Sequence, residues 1–236
     1  MIFVLPHQGL GDHILCNAIY RNLSDKHRIV VILVRLKYHS ELKYMLRDLS
    51  NVYFIFIPNF RYWFFIKKFK TLLRFLRIRS LRLGIYGENF FLSALRFDNN
   101  FYLQAGIEFD LRWCNFEVSR NIEKENEVTD KLIAMNGDYI FLHEDINRGY
   151  LIDRSRIKTK LPIVTPLQSR EFSLFDYRSV LQNATEIHVI ESSFAAYVDS
   201  LPETNSKKFA HRYSRPEAKS DYKHEFSYKN NWQILL

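Results

Sequence analysis

The chain has 236 residues, of which 47% are hydrophobic and 16% aromatic, with 34 Lys and Arg against 26 Asp and Glu for a net charge of +8. That length fits one large domain or two small ones with a substantial core, while two cysteines exclude a disulfide framework and a cysteine-based metal site. No apolar run approaches the roughly 18 residues of a membrane span, and the positive charge favours anionic partners without choosing among nucleotides, phosphates, nucleic acid and anionic lipid.

The chain opens on an apolar run, IFVLP, that enters HQGLGDHILCNAIYRNL. This reads as a strand at Ile2–Leu5, a glycine turn and a helix over Gly11–Leu23. The N-terminus lacks the basic region of a signal peptide, and Cys16 and Cys114 read as reduced thiols in a cytoplasmic protein. Further strands are expected at Arg28–Val34, Val52–Ile57 and Leu81–Tyr86. Helices are expected at Ser40–Leu49, Tyr62–Leu76 and, more weakly patterned, Phe90–Phe97. Residues 121–138 turn polar and charged and read as a boundary. The pattern then restarts, with strands at Tyr139–His143, Leu161–Thr165, Glu186–Ile190 and Lys207–Ala210, and helices at Phe175–Asn183 and Ser192–Leu201. Strands alternating with helices imply parallel sheets. The expected architecture is α/β: two Rossmann-like domains facing a cleft, an N-terminal acceptor-side domain over 1–122 and a C-terminal nucleotide-sugar-binding domain over 123–236.

Four stretches carry candidate chemistry. In the first, Gly9 and Gly11 form a turn at a helix start, where N–H groups and the helix dipole gather, and Asp12 and His13 follow. A carboxylate there suits a general base, with His13 assisting or orienting it; the plainer reading is a strand-to-helix turn capped by Asp12. The turn lacks the third glycine of the dinucleotide fingerprint. The second strand ends in Arg35 and Lys37 rather than an acid, which disfavours NAD and leaves NADP open through Arg35. In the second stretch, YIFLHEDINRGYLIDR, a strand ends in His143, and Arg148 and Arg154 follow in a loop suited to bidentate phosphate contacts. Local ion pairs are the plainer account. In the third, a strand runs into Glu191-Ser192-Ser193 at a helix start, which suits phosphate, with Glu191 placed to accept from ribose or sugar hydroxyls. Simple capping by Ser192 is the alternative, and His188, inside the strand, reads as a core histidine.

The fourth stretch, residues 61–82, interleaves eight basic residues with aromatics and leucines. Phe65, Phe69, Leu72 and Leu76 fall on one helical stripe. A packed helix with a solvated basic face is preferred here; contact with a membrane surface is the alternative. No D-x-D and no G-x-x-x-x-G-K-[ST] occurs, which argues against a metal-held sugar nucleotide and against P-loop ATP hydrolysis.

GLGDHILCNAIYRNL, FLHEDINRG and VIESSF together resemble a compact GT-B-type glycosyltransferase, similar to the heptosyltransferase-like and NodZ-like fucosyltransferase groups. The resemblance implies a sugar transferase that uses a nucleotide-diphosphate sugar, with a tilt towards a GDP-linked donor, and needs no metal or other cofactor. It implies Asp12 as base beside Gly9 and Gly11, and His143, Arg148, Glu191, Ser192 and Ser193 at the donor; Arg148 departs from the family's H-x-R spacing. The acceptor would be a glycan, a lipid-linked or another hydroxyl, and the location cytoplasmic; peripheral contact at the inner membrane surface is the alternative that the basic helix over 61–82 leaves open. No nucleic-acid partner is expected, since no recognised module accompanies the charge. Two alternatives stay open: a catalytically silent nucleotide- or carbohydrate-binding protein on the same scaffold, and an NADP-dependent reductase.

Overall fold

Apolar segments without turn residues become the inner strands of two parallel sheets in the computed structural model, which describes residues 1–7, 9–84, 96–133, 137–169, 171–214, 227–229 and 231–236, the Trp63 side chain excepted. The chain divides into two compact units. Unit 1 comprises Met1–Ser119 and Lys223–Ser227, and unit 2 comprises Arg120–Tyr222 and Tyr228–Leu236.

In unit 1, β1 (Ile2–Leu5) lies between β2 (Val30–Arg35) and β4 (Ser80–Arg82), and β3 (Val52–Ile57) pairs with β2, for a sheet order β3-β2-β1-β4. All pairings are parallel, with Val4 opposite Ile32 and Leu81. Central β2 is buried along nearly its whole length, as parallel strands covered on both faces are. Edge strand β3 exposes Tyr53 and Ile55. The helix expected over Gly11–Leu23 is two: α1 (Leu10–Leu15) and α2 (Asn17–Lys26), separated at Cys16. α3 (His39–Met45) follows, and α4 (Tyr62–Phe75) packs on the sheet. Its Tyr62 and Ile66 join Leu5, Leu33 and Ile57 in one cluster, with Phe69 against it. The buried stripe of α4 is therefore Tyr62, Ile66, Phe69 and Leu73. The stripe read from sequence is offset from it, and Phe65, Leu72 and Leu76 face outward.

The expected strand Leu81–Tyr86 is described only to residue 84, and most of the expected helix Phe90–Phe97 lies outside the described residues. α5 (Phe97–Ala105) begins where that helix was expected to end, and α6 (Leu111–Cys114) follows. Gly84 has φ +65°, and a Cβ there would stand 2.3 Å from Phe101 Cε1 and 3.0 Å from His7 Cβ. Gly84→Ala combines a left-handed backbone with overpacking, and is expected to cost unit 1 roughly 2–4 kcal/mol. A urea midpoint unchanged from wild type would contradict this.

In unit 2 the polar stretch read as a boundary is a helix, α7 (Ile122–Leu132), built from strong helix formers and capped by the Asn121 side chain. Buried Glu125 holds it in place, accepting from Arg120 Nε at 2.9 Å and from Ser179 Oγ at 2.7 Å. The sheet order is β6-β5-β7-β8-β9, all parallel, from β5 (Ile140–His143), β6 (Ile163–Val164), β7 (Glu186–Val189), β8 (Lys207–His211) and β9 (Trp232–Leu235). α8 (Arg178–Asn183) precedes β7 and α9 (Ser193–Ser200) follows it. β9 has no counterpart in the sequence reading.

Candidate functional site

Open parallel sheets bind ligands beyond the carboxyl ends of their strands, where the strand order reverses. In unit 1 the reversal lies between β1 and β4, and the chain leaving β1 there carries Pro6, His7 and Gly9. Asp12 occupies the third position of α1 and reaches back to the Gly9 N-cap, so that its Oδ2 accepts the Gly9 N–H at 2.7 Å. His7 Nδ1 stands 2.6 Å from the same oxygen. Two donors thus fix one carboxylate oxygen. Among the described residues Oδ1 takes no hydrogen bond, and both side chains reach solvent at 18% and 16% exposure. Gly9 leaves room for the carboxylate: a Cβ there would lie 2.9 Å from Asp12 Oδ2 and push the side chain from its present position. His7 is set edge-on to Phe97 at 5.2 Å between ring centres. Gly11 is a helical residue in the first turn of α1.

His13 is not part of this arrangement. It is 1% exposed, and its Nδ1 lies 2.8 Å from the Tyr20 hydroxyl, where burial lowers its pKa to about 4. The imidazole beside Asp12 belongs instead to His7, which the sequence reading passed over. Its signal was available: it is the second residue beyond β1, on the rim where chemistry is expected. Arg35, the residue that left NADP open, lies with its guanidinium 5.0 Å over the Tyr62 ring, whose hydroxyl donates to Pro6 O.

In unit 2 the order corresponds to 2-1-3-4-5 in chain sequence, so the reversal lies between β5 and β7. His143 ends β5 there, and Ser192 follows β7. The Ser192 hydroxyl lies 3.2 Å from His143 Nδ1, and the His143 ring packs on Phe194 at 4.4 Å. Ser192 is the N-cap of α9, yet its hydroxyl makes no capping bond to the helix. The first N–H groups of α9, beginning at Ser193, therefore open the helix without a side-chain cap at the carboxyl rim of the sheet. Burial lowers the His143 pKa to about 4, which keeps the ring neutral near pH 7.

The loop after β5 satisfies itself. Glu144 Oε1 accepts the Ile152 N–H and its Oε2 meets Arg154 Nη2 at 2.7 Å. Asp145 caps the turn at Arg148 N and pairs with Arg148 Nε at 2.6 Å, while Gly149, at φ +71°, closes it. Leu142, Ile152 and Ile190 pack beneath. Arg148 and Arg154 stay about half exposed, but each already holds a carboxylate. Glu191 is turned to Arg212 at 3.3 Å, both 8% exposed, so its carboxylate is committed to an ion pair rather than to a sugar hydroxyl. Arg212, directly beyond β8, is a second rim residue that the sequence reading missed.

His188 lies in the core, as its place in a strand implied. Its Nδ1 stands 2.9 Å from His211 Nε2, its Nε2 3.2 Å from Glu186 Oε2, and His211 Nδ1 2.9 Å from the Tyr213 hydroxyl. One proton arrangement satisfies the chain with both rings neutral: each histidine donates through Nε2 towards Glu186, and Tyr213 donates to His211. Burial lowers the pKa of His188, and that of His211 to about 3.

These shifts set an acid limit. A histidine near 6.5 when unfolded and near 4 when folded, as His13 and His143 are, binds its proton mainly in the unfolded state between those values. Their contribution is complete above about pH 6.5 and is lost as pH falls towards 4, at roughly 1.4 kcal/mol per unit per histidine. Urea midpoints are expected to fall steeply between about pH 6.5 and 5. A stability profile that stays flat through that window would contradict the assignment.

No protein-family model matches the sequence, and no curated protein does. Solved structures share the fold. The chain aligns over 99% of its length with 86% of a family 9 glycosyltransferase from Veillonella parvula, at 11% identity and a TM-score of 0.58. It aligns over 99% of its length with 89% of ADP-heptose LPS heptosyltransferase II from E. coli, at 12% identity and a TM-score of 0.51. The heptosyltransferase half of the sequence resemblance thus has a counterpart in fold; no fucosyltransferase is among these neighbours.

Proposed function

We propose that the chain is a glycosyltransferase that moves a sugar from a nucleotide-diphosphate sugar to a hydroxyl acceptor. The observation that carries this reading is the Asp12 carboxylate, fixed through one oxygen by His7 and Gly9, with its other oxygen taking no hydrogen bond among the described residues at the β1 rim. The fold shared with two glycosyltransferases, one of them named for ADP-heptose, supports it.

The acceptor side of the reaction is assigned to unit 1. Asp12 Oδ1 takes the proton of the acceptor hydroxyl as its oxygen attacks the anomeric carbon of the donor. His7, donating to Oδ2, orients the carboxylate so that Oδ1 faces the acceptor. The donor side is assigned to unit 2. The bond between the anomeric carbon and the phosphate oxygen breaks, and charge accumulates on the leaving diphosphate. The N–H groups at the start of α9 and the Ser192 hydroxyl meet that charge beside neutral His143. Arg148 and Arg154 join by giving up, in part, their pairs with Asp145 and Glu144. We assign the reaction no metal; chelation with EDTA is expected to leave the rate unchanged. The nucleotide base stays between ADP-linked and GDP-linked donors, the first named by a structural neighbour and the second suggested by the motifs.

A thermal-shift panel of ADP, GDP, UDP, their sugars and NADPH tests the donor assignment. A true donor present at about 100 times its Kd stabilises the fold by roughly 2.7 kcal/mol. Ser193→Glu separates binding from folding. A carboxylate in the first turn suits the helix dipole but repels a diphosphate, so the variant should keep its own melting temperature and lose the shift. A panel in which NADPH alone stabilises the chain would instead establish the reductase.

A further inference from the structure

We infer that α4 and the residues flanking it form a docking surface for an anionic lipid bilayer. This inference is independent of the transfer reaction. Its first support is charge. Residues 61–82 contain Arg61, Lys67, Lys68, Lys70, Arg74, Arg77, Arg79 and Arg82, while no acidic residue occurs between Asp48 and Glu88. Eight positive charges on this one stretch equal the +8 net charge of the whole chain; the remainder is balanced.

The second support is apolar exposure. A helix that covers a sheet spends one stripe on the core, and α4 spends Tyr62, Ile66, Phe69 and Leu73 in that way. A second set of large apolar side chains remains outside: Phe60 at 82%, Phe75 at 82%, Phe64 at 56% and Leu76 at 51% exposure, with Leu72 and Phe65 between them. Phe64, Leu72 and Phe75 line a shallow groove of about 710 Å³ together with the stems of Lys67 and Lys68. Such a set exceeds what a solvated helix face carries, and contiguous exposed apolar surface marks an interaction site.

The two supports select the partner. A second copy of the chain would bring the same charges against themselves. A nucleic-acid backbone satisfies the cations but gives Leu72 and Leu76 no partner. An anionic bilayer answers both: lysine and arginine reach the headgroups while phenylalanine and leucine enter the acyl boundary, as interfacial helices do. No helix among the described residues is long and apolar enough to cross a membrane, so the contact is peripheral.

Vesicle sedimentation of the full chain tests the inference. Wild type is expected to pellet with phosphatidylcholine vesicles containing about one-third phosphatidylglycerol, and to stay in solution with phosphatidylcholine alone. High salt should weaken the binding. Each cation near such a surface is worth about fivefold in partitioning, so K67Q/K68Q/R74Q should bind roughly 100-fold more weakly. F64S/F75S, which alters two exposed side chains, should bind at least about tenfold more weakly at an unchanged melting temperature. Three outcomes overturn the inference: no wild-type binding to the anionic vesicles, binding indifferent to F64S/F75S, or a chain dimer that F64S/F75S dissolves. A fourth does so too: an oligonucleotide that displaces the protein from vesicles and whose binding needs the lysines but not the phenylalanines, which would make the face a nucleic-acid surface.

Discussion

Asp12→Asn is expected to lower sugar transfer by about 10²–10⁴-fold while leaving donor binding intact. The amide keeps the shape of the side chain and can still accept from Gly9, but it cannot take a proton from the acceptor hydroxyl. His7→Gln should lose less, because Asp12 keeps its carboxylate and one of its two donors. The split matters. A binding protein without activity on the same scaffold would show donor affinity and no transfer in wild type either. An Asp12→Asn protein that transfers sugar at the wild-type rate would remove Asp12 from the reaction. Product release of nucleoside diphosphate, followed with the donor that stabilises the fold most, reads all of these outcomes.

The largest stability loss is expected at Arg112. Its guanidinium is fully buried and pairs with Asp98, also fully buried. The same cluster takes in the Ser227 backbone: Arg112 donates to its carbonyl at 2.5 Å, and its N–H donates to Asp98 Oδ2 at 2.9 Å. Burial pushes the Asp98 carboxyl above the ordinary carboxylate range, while Arg112 and Ser227 pull it back. The guanidinium also lies over the Trp113 ring at 4.9 Å. Removing one partner strands the other charge without solvent, so Arg112→Ala is expected to cost about 3–5 kcal/mol. That is a large part of the 5–15 kcal/mol that holds a typical domain together. Asp98→Asn/Arg112→Met removes both charges and should recover at least half of the loss. Urea unfolding checks the pair; a single-variant cost below about 1 kcal/mol would contradict the account.

Much of the fold was legible because each central strand is a short apolar run bounded by polar or turn residues. β1 and β3 were read to the residue, and β5, β7 and β8 to within one. The misses have particular causes. α7 is so polar that periodicity gave way to composition, although Val128 and Glu125 alone carry its buried face. The segment around α5 and α6 has a low apolar periodicity because α5 buries Asp98 and Asn100 beside Phe97, Phe101 and Tyr102, and Asp98 pairs with buried Arg112 of α6, which no helical pattern announces. The α4 stripe was misassigned because the helix is apolar on two faces, and sequence cannot say which face meets the sheet.

The candidate site was legible at its addresses and less so in its contacts. Gly9, Asp12, His143, Ser192 and Ser193 all fall at the carboxyl ends of strands, as their flanking runs implied. What each side chain touches depends on residues far along the chain or across a turn. His13 follows Asp12 in sequence, but helical rotation carries it inward to Tyr20, while His7 returns from before the turn. Glu191 meets Arg212, twenty-one residues later, because β7 and β8 are neighbours in the sheet. Pairing of that kind follows from strand order, which local pattern does not reveal.

The position of a bound nucleoside diphosphate is the most direct test of the donor assignment on which the proposed reaction depends. In a crystal structure of the chain with ADP or GDP, the account places the diphosphate at the β5–β7 rim, accepting from the Ser193 N–H and the Ser192 hydroxyl beside His143. Diphosphate found instead on the Gly9–Asp12 turn, or no binding of either nucleotide in solution, would contradict it.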